Sequence, residues 1–177
     1  LDAIQMNLEN QVAYLHKYLT AFNAIIKENQ ANRMNPLYDG GFVTPEKQYL
    51  TIGVNGFVEG AEFLGIEIND NETYTAYVET ILGTISELNK KAKTDEIMFN
   101  TEFVPAESLG VKNAQWDKRD GYVVPRDCYN SYFYKVEDES LNVLDKFKLY
   151  SHRFTDCLDG GSALHMNLRE HLSKEQY

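Results

Sequence analysis

The sequence predicts an α/β chain, and three observations carry that prediction. A stripe of apolar residues at three-to-four spacing opens the chain, a β-rich run passes through Asn55-Gly56 directly into a helical pattern, and a second β-rich run ends at Pro105, where another helix can start. Strands that feed helices through a Gly or a Pro are the halves of βαβ units.

Ile4, Leu8, Val12, Leu15, Leu19, Phe22, Ile25 and Ile26 lay one apolar stripe along a long amphipathic helix. The pattern fades over Asn29 to Asn35, and Asn35-Pro36 followed by Asp39-Gly40-Gly41 reads as a loop with tight turns. Tyr49 to Val54 is a short strand, and Phe57 to Leu64 is the helix behind it. A further helix is expected from about Glu72 to Lys91, with Tyr74, Tyr77, Val78, Ile81, Leu82, Ile85 and Leu88 on one face and Asp70 or Asn71 as N-cap.

Ile97 to Val104 reads as a strand cut by Pro105, and Ala106 to Leu109 as a short helix stopped by Gly110. Lys112 to Gly121 is polar and without period. The aromatic run Tyr129 to Tyr134 looks like another strand, Asp138 to Tyr150 returns to helical spacing, and Ala163 to Leu168 alternates like a strand after the turn Asp159-Gly160-Gly161. With no internal repeat and no linker, residues 1–177 form a single compact unit or part of one.

Composition narrows the function classes. In 177 residues, 43% apolar and 12% aromatic content supports a hydrophobic core and argues against disorder. Seventeen Lys plus Arg against twenty-seven Asp plus Glu give a formal charge of −10, which repels a nucleic-acid backbone and still permits an anion at a local site. Cys128 and Cys157 form no C-x-x-C, and His152 near Cys157 is too little for a metal site, so both cysteines read as structural in a reducing cytoplasm. No apolar run approaches the roughly eighteen residues of a membrane span, and no secretory pattern opens the chain, so a cytoplasmic protein without a membrane partner is expected. The start at Leu1, inside a helical pattern, suggests a processed chain or a piece of a longer one.

The most informative local feature is Asn100 to Ser108. A strand ending at a Pro-opened helix aims free backbone N–H groups beyond the C-terminal edge of the sheet, and phosphate is the ligand such a terminus suits. Ala106 and Ser108 are small enough to let an oxygen-rich group near, whereas the Glu107 carboxylate would compete for the same positive end. An ordinary capping turn accounts for the residues equally simply. His165 reads as a hydrogen-bonded structural residue, His152 and His171 as exposed, and His16 as lacking an obvious partner. Glu59 and Glu62 share a helix face without the rest of a metal site and read as solvated, and the aromatic cluster around Tyr132 as packing.

Several segments read together resemble the large subunit of anaerobic (class III) ribonucleoside-triphosphate reductase, a glycyl radical enzyme, and in particular its phage branch. They are Asn35 to Phe42, Leu50 to Glu62, Phe99 to Glu107, Asp120-Gly121-Tyr122, Tyr129 to Tyr134, and Asp159 to His165, in matching order over nearly the whole chain. The resemblance implies the second half of the family's ten-stranded α/β barrel, within an enzyme that reduces ribonucleoside triphosphates to deoxyribonucleotides by radical chemistry. It implies that Thr101, Glu102, Phe103, Val104, Pro105, Ala106, Glu107 and Ser108 receive the substrate phosphates, with Glu102 nearest the catalytic cavity. The family commonly has Thr-Pro in this loop. Val104 removes that hydroxyl and leaves more of the work to main-chain N–H groups.

No finger-loop cysteine, four-cysteine zinc site or glycyl radical loop is found, so this portion alone is expected to hold no cofactor and to be inactive. The glycyl radical and a structural zinc are expected in the full enzyme. The implied partners are the remaining reductase segments, a radical-SAM activating enzyme and a second copy of the full enzyme. The alternative is an inactive stand-alone module that binds a nucleotide or a partner protein.

Overall fold

A computed structural model describes residues 1–138, 140–166 and 173–175. Helix α1 spans Asp2–Ala31, and the short α2, Pro36–Asp39, opens with a proline at its first position in the stretch expected to be loop. One 3₁₀ turn, Pro45–Lys47, leads into strand β1, Tyr49–Val54. Gly56 follows at φ +76°, a left-handed conformation, and serves as N-cap of α3, Phe57–Phe63.

Asn71 accepts the Tyr74 amide and caps α4, Glu72–Val78, as its side-chain chemistry predicts. A π turn, Glu79–Gly83, joins α4 to α5, Thr84–Ala92, so the helix expected over this stretch is a continuous rod with one wide turn. Strand β2, Met98–Phe103, then pairs parallel with β1, Tyr49 against Met98 through Val54 against Phe103. The strands and their helical crossover make the βαβ unit that the sequence predicts.

Beyond β2 the structure departs from several expectations. The helix that starts after Pro105 does not stop at Gly110: α6 runs from Glu107 to Arg119 and takes in most of the polar stretch expected to be irregular. Gly110 is a point of close approach, because a Cβ there would meet the Tyr129 carbonyl oxygen at 2.4 Å. The aromatic run Tyr129 to Tyr134 forms no strand. Its backbone groups bond to α3, α4 and α6 rather than to a ladder, and its Phe133 and Tyr134 rings are buried.

The helix expected over Asp138 to Tyr150 shrinks to α7, Val143–Lys148, capped by Asn142, and a further helix, α8, covers His152–Thr155. Residues 163–166 carry no strand. Asn167, Leu168 and His171 lie outside the described residues. Gly161 forms an isolated parallel bridge with Glu102, so the free edge of β2 meets the 159–161 turn. Among the described residues the sheet has two strands and does not close into a barrel.

The main core lies between α3, α4, the end of β2 and the 133–158 region, around Phe57, Tyr74, Tyr77, Phe103, Phe133, Tyr134 and Phe154. Tyr74 and Tyr77 bury their rings and donate their hydroxyls to the Phe133 and Phe57 carbonyls at 2.5 and 2.8 Å, which removes the cost of an unpaired phenol. A smaller cluster joins α1 to the sheet through Val12, Ile52 and Ile85. The α1 stripe is only partly used: Leu15, Phe22 and Ile25 remain exposed, because the helix touches β1 and α5 along a narrow line.

Alternation along β2 separates two faces. Phe99, Thr101 and Phe103 are buried toward the helices, while Glu102 lies half-buried on the face it shares with the exposed Tyr49 and Gly53 of β1. Among the described residues no helix is long and apolar enough to cross a membrane.

Candidate functional site

The two parallel strands end side by side, Val54 beside Phe103, and each turns sharply into a helix, β1 through Asn55-Gly56 and β2 through Val104-Pro105-Ala106. Pro105 and Ser108 are exposed and Ala106 is half-buried, so this corner is open to solvent. Ala106 occupies the N-cap position of α6 with no side-chain cap hydrogen bond. A 13-residue helix with an uncapped first turn presents the partial positive charge of its N–H groups at that end.

The predicted residues 101–108 divide by direction. Thr101 and Phe103 point into the interior: the Thr101 hydroxyl accepts from Asn89 Nδ2 at 3.0 Å, its amide donates to Asp159 at 2.8 Å, and the Phe103 ring packs on Phe57 and Phe133. Their side chains hold the strand in place. Glu102 and Val104 are half-buried at the strand end, and Pro105, Ala106 and Ser108 form the open corner with the amide-bearing start of α6 at Glu107.

Residues outside the predicted set 101–108 hold this corner. Gly56 donates its amide to the Asn130 carbonyl at 2.8 Å, and the Ser131 hydroxyl donates to the Val104 carbonyl at 2.7 Å. Asn55 donates through Nδ2 to both the Tyr129 carbonyl and Ser131 Oγ, and accepts from Asn113 Nδ2 of α6. The available signal was the Asn55-Gly56 turn. Asn130-Ser131 was masked by the aromatic residues around it.

Glu59 corrects a second expectation. Only 5% exposed, it is not on a solvated face. Its Oε1 accepts from Arg126 Nη1 at 2.6 Å and from the Asn130 amide at 3.2 Å. Burial pushes its carboxyl up, and the Arg126 contact offsets that only in part. Burial also acts to raise the Glu62 carboxyl, but Lys135 at 2.8 Å and Arg126 at 2.9 Å outweigh it and hold the group below its ordinary value. Arg126 thus ties the 122–138 region onto α3.

Between α3 and α6 lies a cleft of about 670 Å³, walled by Phe63, Trp116, Tyr122 and Tyr129 with Glu59 and Asp117 among its polar groups. None of residues 101–108 lines it. His16, expected to lack a partner, meets Asn89 Oδ1 at 2.8 Å across the α1–α5 contact. The His165 main-chain carbonyl accepts from the Tyr134 hydroxyl at 2.6 Å, and the His165 ring lies 5.8 Å from that of Tyr132. His152 is exposed. Neither Cys128 nor Cys157 is in a disulfide, and burial raises the Cys157 thiol. Among the described residues no three His, Cys, Asp or Glu side chains are grouped to hold a metal ion.

Comparison with known proteins supplies the family context for this geometry. A family profile described as anaerobic ribonucleoside-triphosphate reductase matches residues 2–177. The structure is similar to that of the Thermotoga maritima anaerobic ribonucleotide reductase in complex with dATP and CTP, at a TM-score of 0.86 and 30% identity, over 97% of this chain and 30% of that one. The same enzyme with dATP bound in the specificity site aligns at 0.85 and 31% identity, over 93% of this chain and 29% of that one. A further solved anaerobic ribonucleotide reductase aligns at 0.81 and 31% identity, over 89% and 26% of the two chains. The chain therefore spans about 30% of the length of these relatives. Comparison with curated protein sequences returns no match.

Proposed function

Because this chain belongs to the anaerobic ribonucleoside-triphosphate reductase family, we propose that it contributes barrel wall and substrate-phosphate contacts to an oxidoreductase that converts ribonucleoside triphosphates to deoxyribonucleoside triphosphates. The observation that carries this reading is the solvent-open, side-chain-uncapped start of α6, placed just beyond the C-terminal edge of the parallel pair. That is where a sheet of this kind receives an anionic ligand.

In this reading the chain binds and orients. The first-turn amides of α6 donate to phosphate oxygens, with no hydroxyl at Val104 to assist. Pro105 fixes the entry to the helix without consuming a needed donor. Glu102 stands at the less covered face of the sheet, toward the sugar, while Thr101 and Phe103 anchor the strand from behind. With a net charge of −10, the protein attracts a triphosphate only where such local donors converge. The pair β1 and β2 with the 159–161 turn is the part of the ten-stranded wall this chain supplies.

A glycyl radical supplies the hydrogen-abstraction chemistry of the full enzyme. We assign it, with the structural zinc, to segments outside this portion, as the resemblance to the family implies. The relatives solved with dATP and CTP support nucleotides as ligands. The remaining reductase segments, a radical-SAM activating enzyme and a second copy of the full enzyme complete the proposed assembly, in the cytoplasm.

The test is anaerobic reconstitution of the chain with the flanking reductase segments and the activating enzyme. Reduction of a ribonucleotide that requires this chain is expected, and its absence from the complete mixture overturns the proposal.

A further inference from the structure

We propose that Ser131 is a positioning residue for phosphate binding, acting at the end of a side-chain relay that sets the direction of the α6 N-terminus. The inference rests on the reading of that corner as the phosphate site and names the residues that hold it in register.

The relay has a single polarity. Asn113, two turns into α6, donates through Nδ2 to Asn55 Oδ1 at 3.2 Å. Its oxygen thus engaged, Asn55 turns Nδ2 toward the Tyr129 carbonyl at 3.2 Å and Ser131 Oγ at 3.1 Å. Ser131 has one hydroxyl proton, and because its oxygen already accepts from Asn55, that proton is committed to the Val104 carbonyl at 2.7 Å. The same carbonyl accepts the Ala106 amide at 2.7 Å.

Two consequences follow for the corner. The Val104 carbonyl is drawn inward, which keeps its negative end away from an incoming anion. The Val104–Pro105 peptide plane is also held, and since proline fixes its own φ, the first-turn amides behind it inherit that orientation. The relay starts on α6 and returns to the segment that opens α6, so the helix braces its own entrance through Asn55 and Ser131. Ser131 is 2% exposed, so its effect on an anion runs through the Val104 carbonyl, and preorganised donors are worth more than donors that must be gathered during binding.

The experiment is titration of the ¹⁵N-labelled chain with inorganic tripolyphosphate, read at the Ser108 and Leu109 amide resonances. Both are expected to shift in the unaltered chain. Ser131→Ala should raise the half-saturating concentration about fivefold, the worth of one neutral hydrogen bond, and Ser131→Thr, which keeps the hydroxyl, should stay within about twofold. Asn55→Asp, unable to donate to Ser131, should weaken binding as Ser131→Ala does. Asn71→Ala removes the N-cap hydrogen bond of α4, which involves none of the relay residues, and should lower the melting temperature without moving the half-saturation point, which separates positioning from general destabilisation. If Ser131→Ala titrates like the unaltered chain, the relay is overturned. If the Ser108 and Leu109 amides ignore tripolyphosphate in the unaltered chain, the phosphate reading is overturned and the role of Ser131 with it.

Discussion

Gly110 and Tyr129 are separated by so little that a methyl group on the glycine would lie 2.4 Å from the tyrosine carbonyl oxygen, while the Tyr129 amide donates to the Gly110 carbonyl at 3.2 Å. The contact docks the 128–131 segment onto α6 and so brings Ser131 to Val104. Gly110→Ala sets helix propensity against packing: alanine favours the helix by about 1 kcal/mol, and backbone on backbone cannot yield. Net destabilisation of about 2 kcal/mol is expected, read as a lower midpoint in urea. A stabilised variant would show that α6 shifts freely.

Ala106→Asp should separate stability from binding. An aspartate at the N-cap can accept the open amides of the first turn and stabilise α6 by about 1 kcal/mol. The same carboxylate occupies the place proposed for phosphate. Thermal melting should rise and tripolyphosphate binding should vanish in one variant, an opposition that a merely structural turn would not show.

The Arg126 cluster gives a pH dependence. The Glu62 carboxyl is held below its ordinary value of 4.5, so its ion pairs add stability above the unfolded-state value and lose it as pH falls through the folded one. Glu62→Gln should therefore cost about 1 kcal/mol at pH 7, with the gap to the unaltered chain closing in acid below that value. Arg126→Ala should cost more, about 3 kcal/mol, because it leaves the buried Glu59 carboxylate without its cation. Urea titrations at several pH values measure both.

Asn89 links three elements from its place on α5: its Oδ1 accepts from His16 Nε2 of α1 and its Nδ2 donates to Thr101 Oγ1 of β2. At 1% exposure it has no water to fall back on. Asn89→Ala should destabilise the fold by about 2 kcal/mol and speed hydrogen exchange at the Thr101 amide. An effect confined to α5 would show that the link is not cooperative.

Hydrophobic period and turn chemistry made much of this fold readable in the sequence. The β1–Gly56–α3 passage, the Asn71 cap and the strand ending at Pro105 are local patterns, set by residues within a few positions of one another. The misreadings have one cause. Gly110 looks like a helix stop and the Tyr129 to Tyr134 run like a strand, because a glycine needed for close approach and aromatics needed for packing carry the same local signature as a terminator and a β-ladder. The site divided in the same way. The corner proposed for phosphate was legible in Pro105 and Ala106, whereas Ser131, Asn113 and the burial of Glu59 were not.

By itself the sequence determined the α/β character and the strand-to-helix corner at Pro105, which depend on short-range residue order, and the family, which depends on the order of several segments along the chain. Tertiary structure alone decided which residues of the corner face outward, which hold it from behind, and that Glu59 is an interior charge. Those outcomes depend on contacts between positions some 25 to 75 apart in the chain, such as Val104 with Ser131 and Asn55 with Ser131, and no local pattern encodes the direction in which distant backbone will offer a donor or an acceptor.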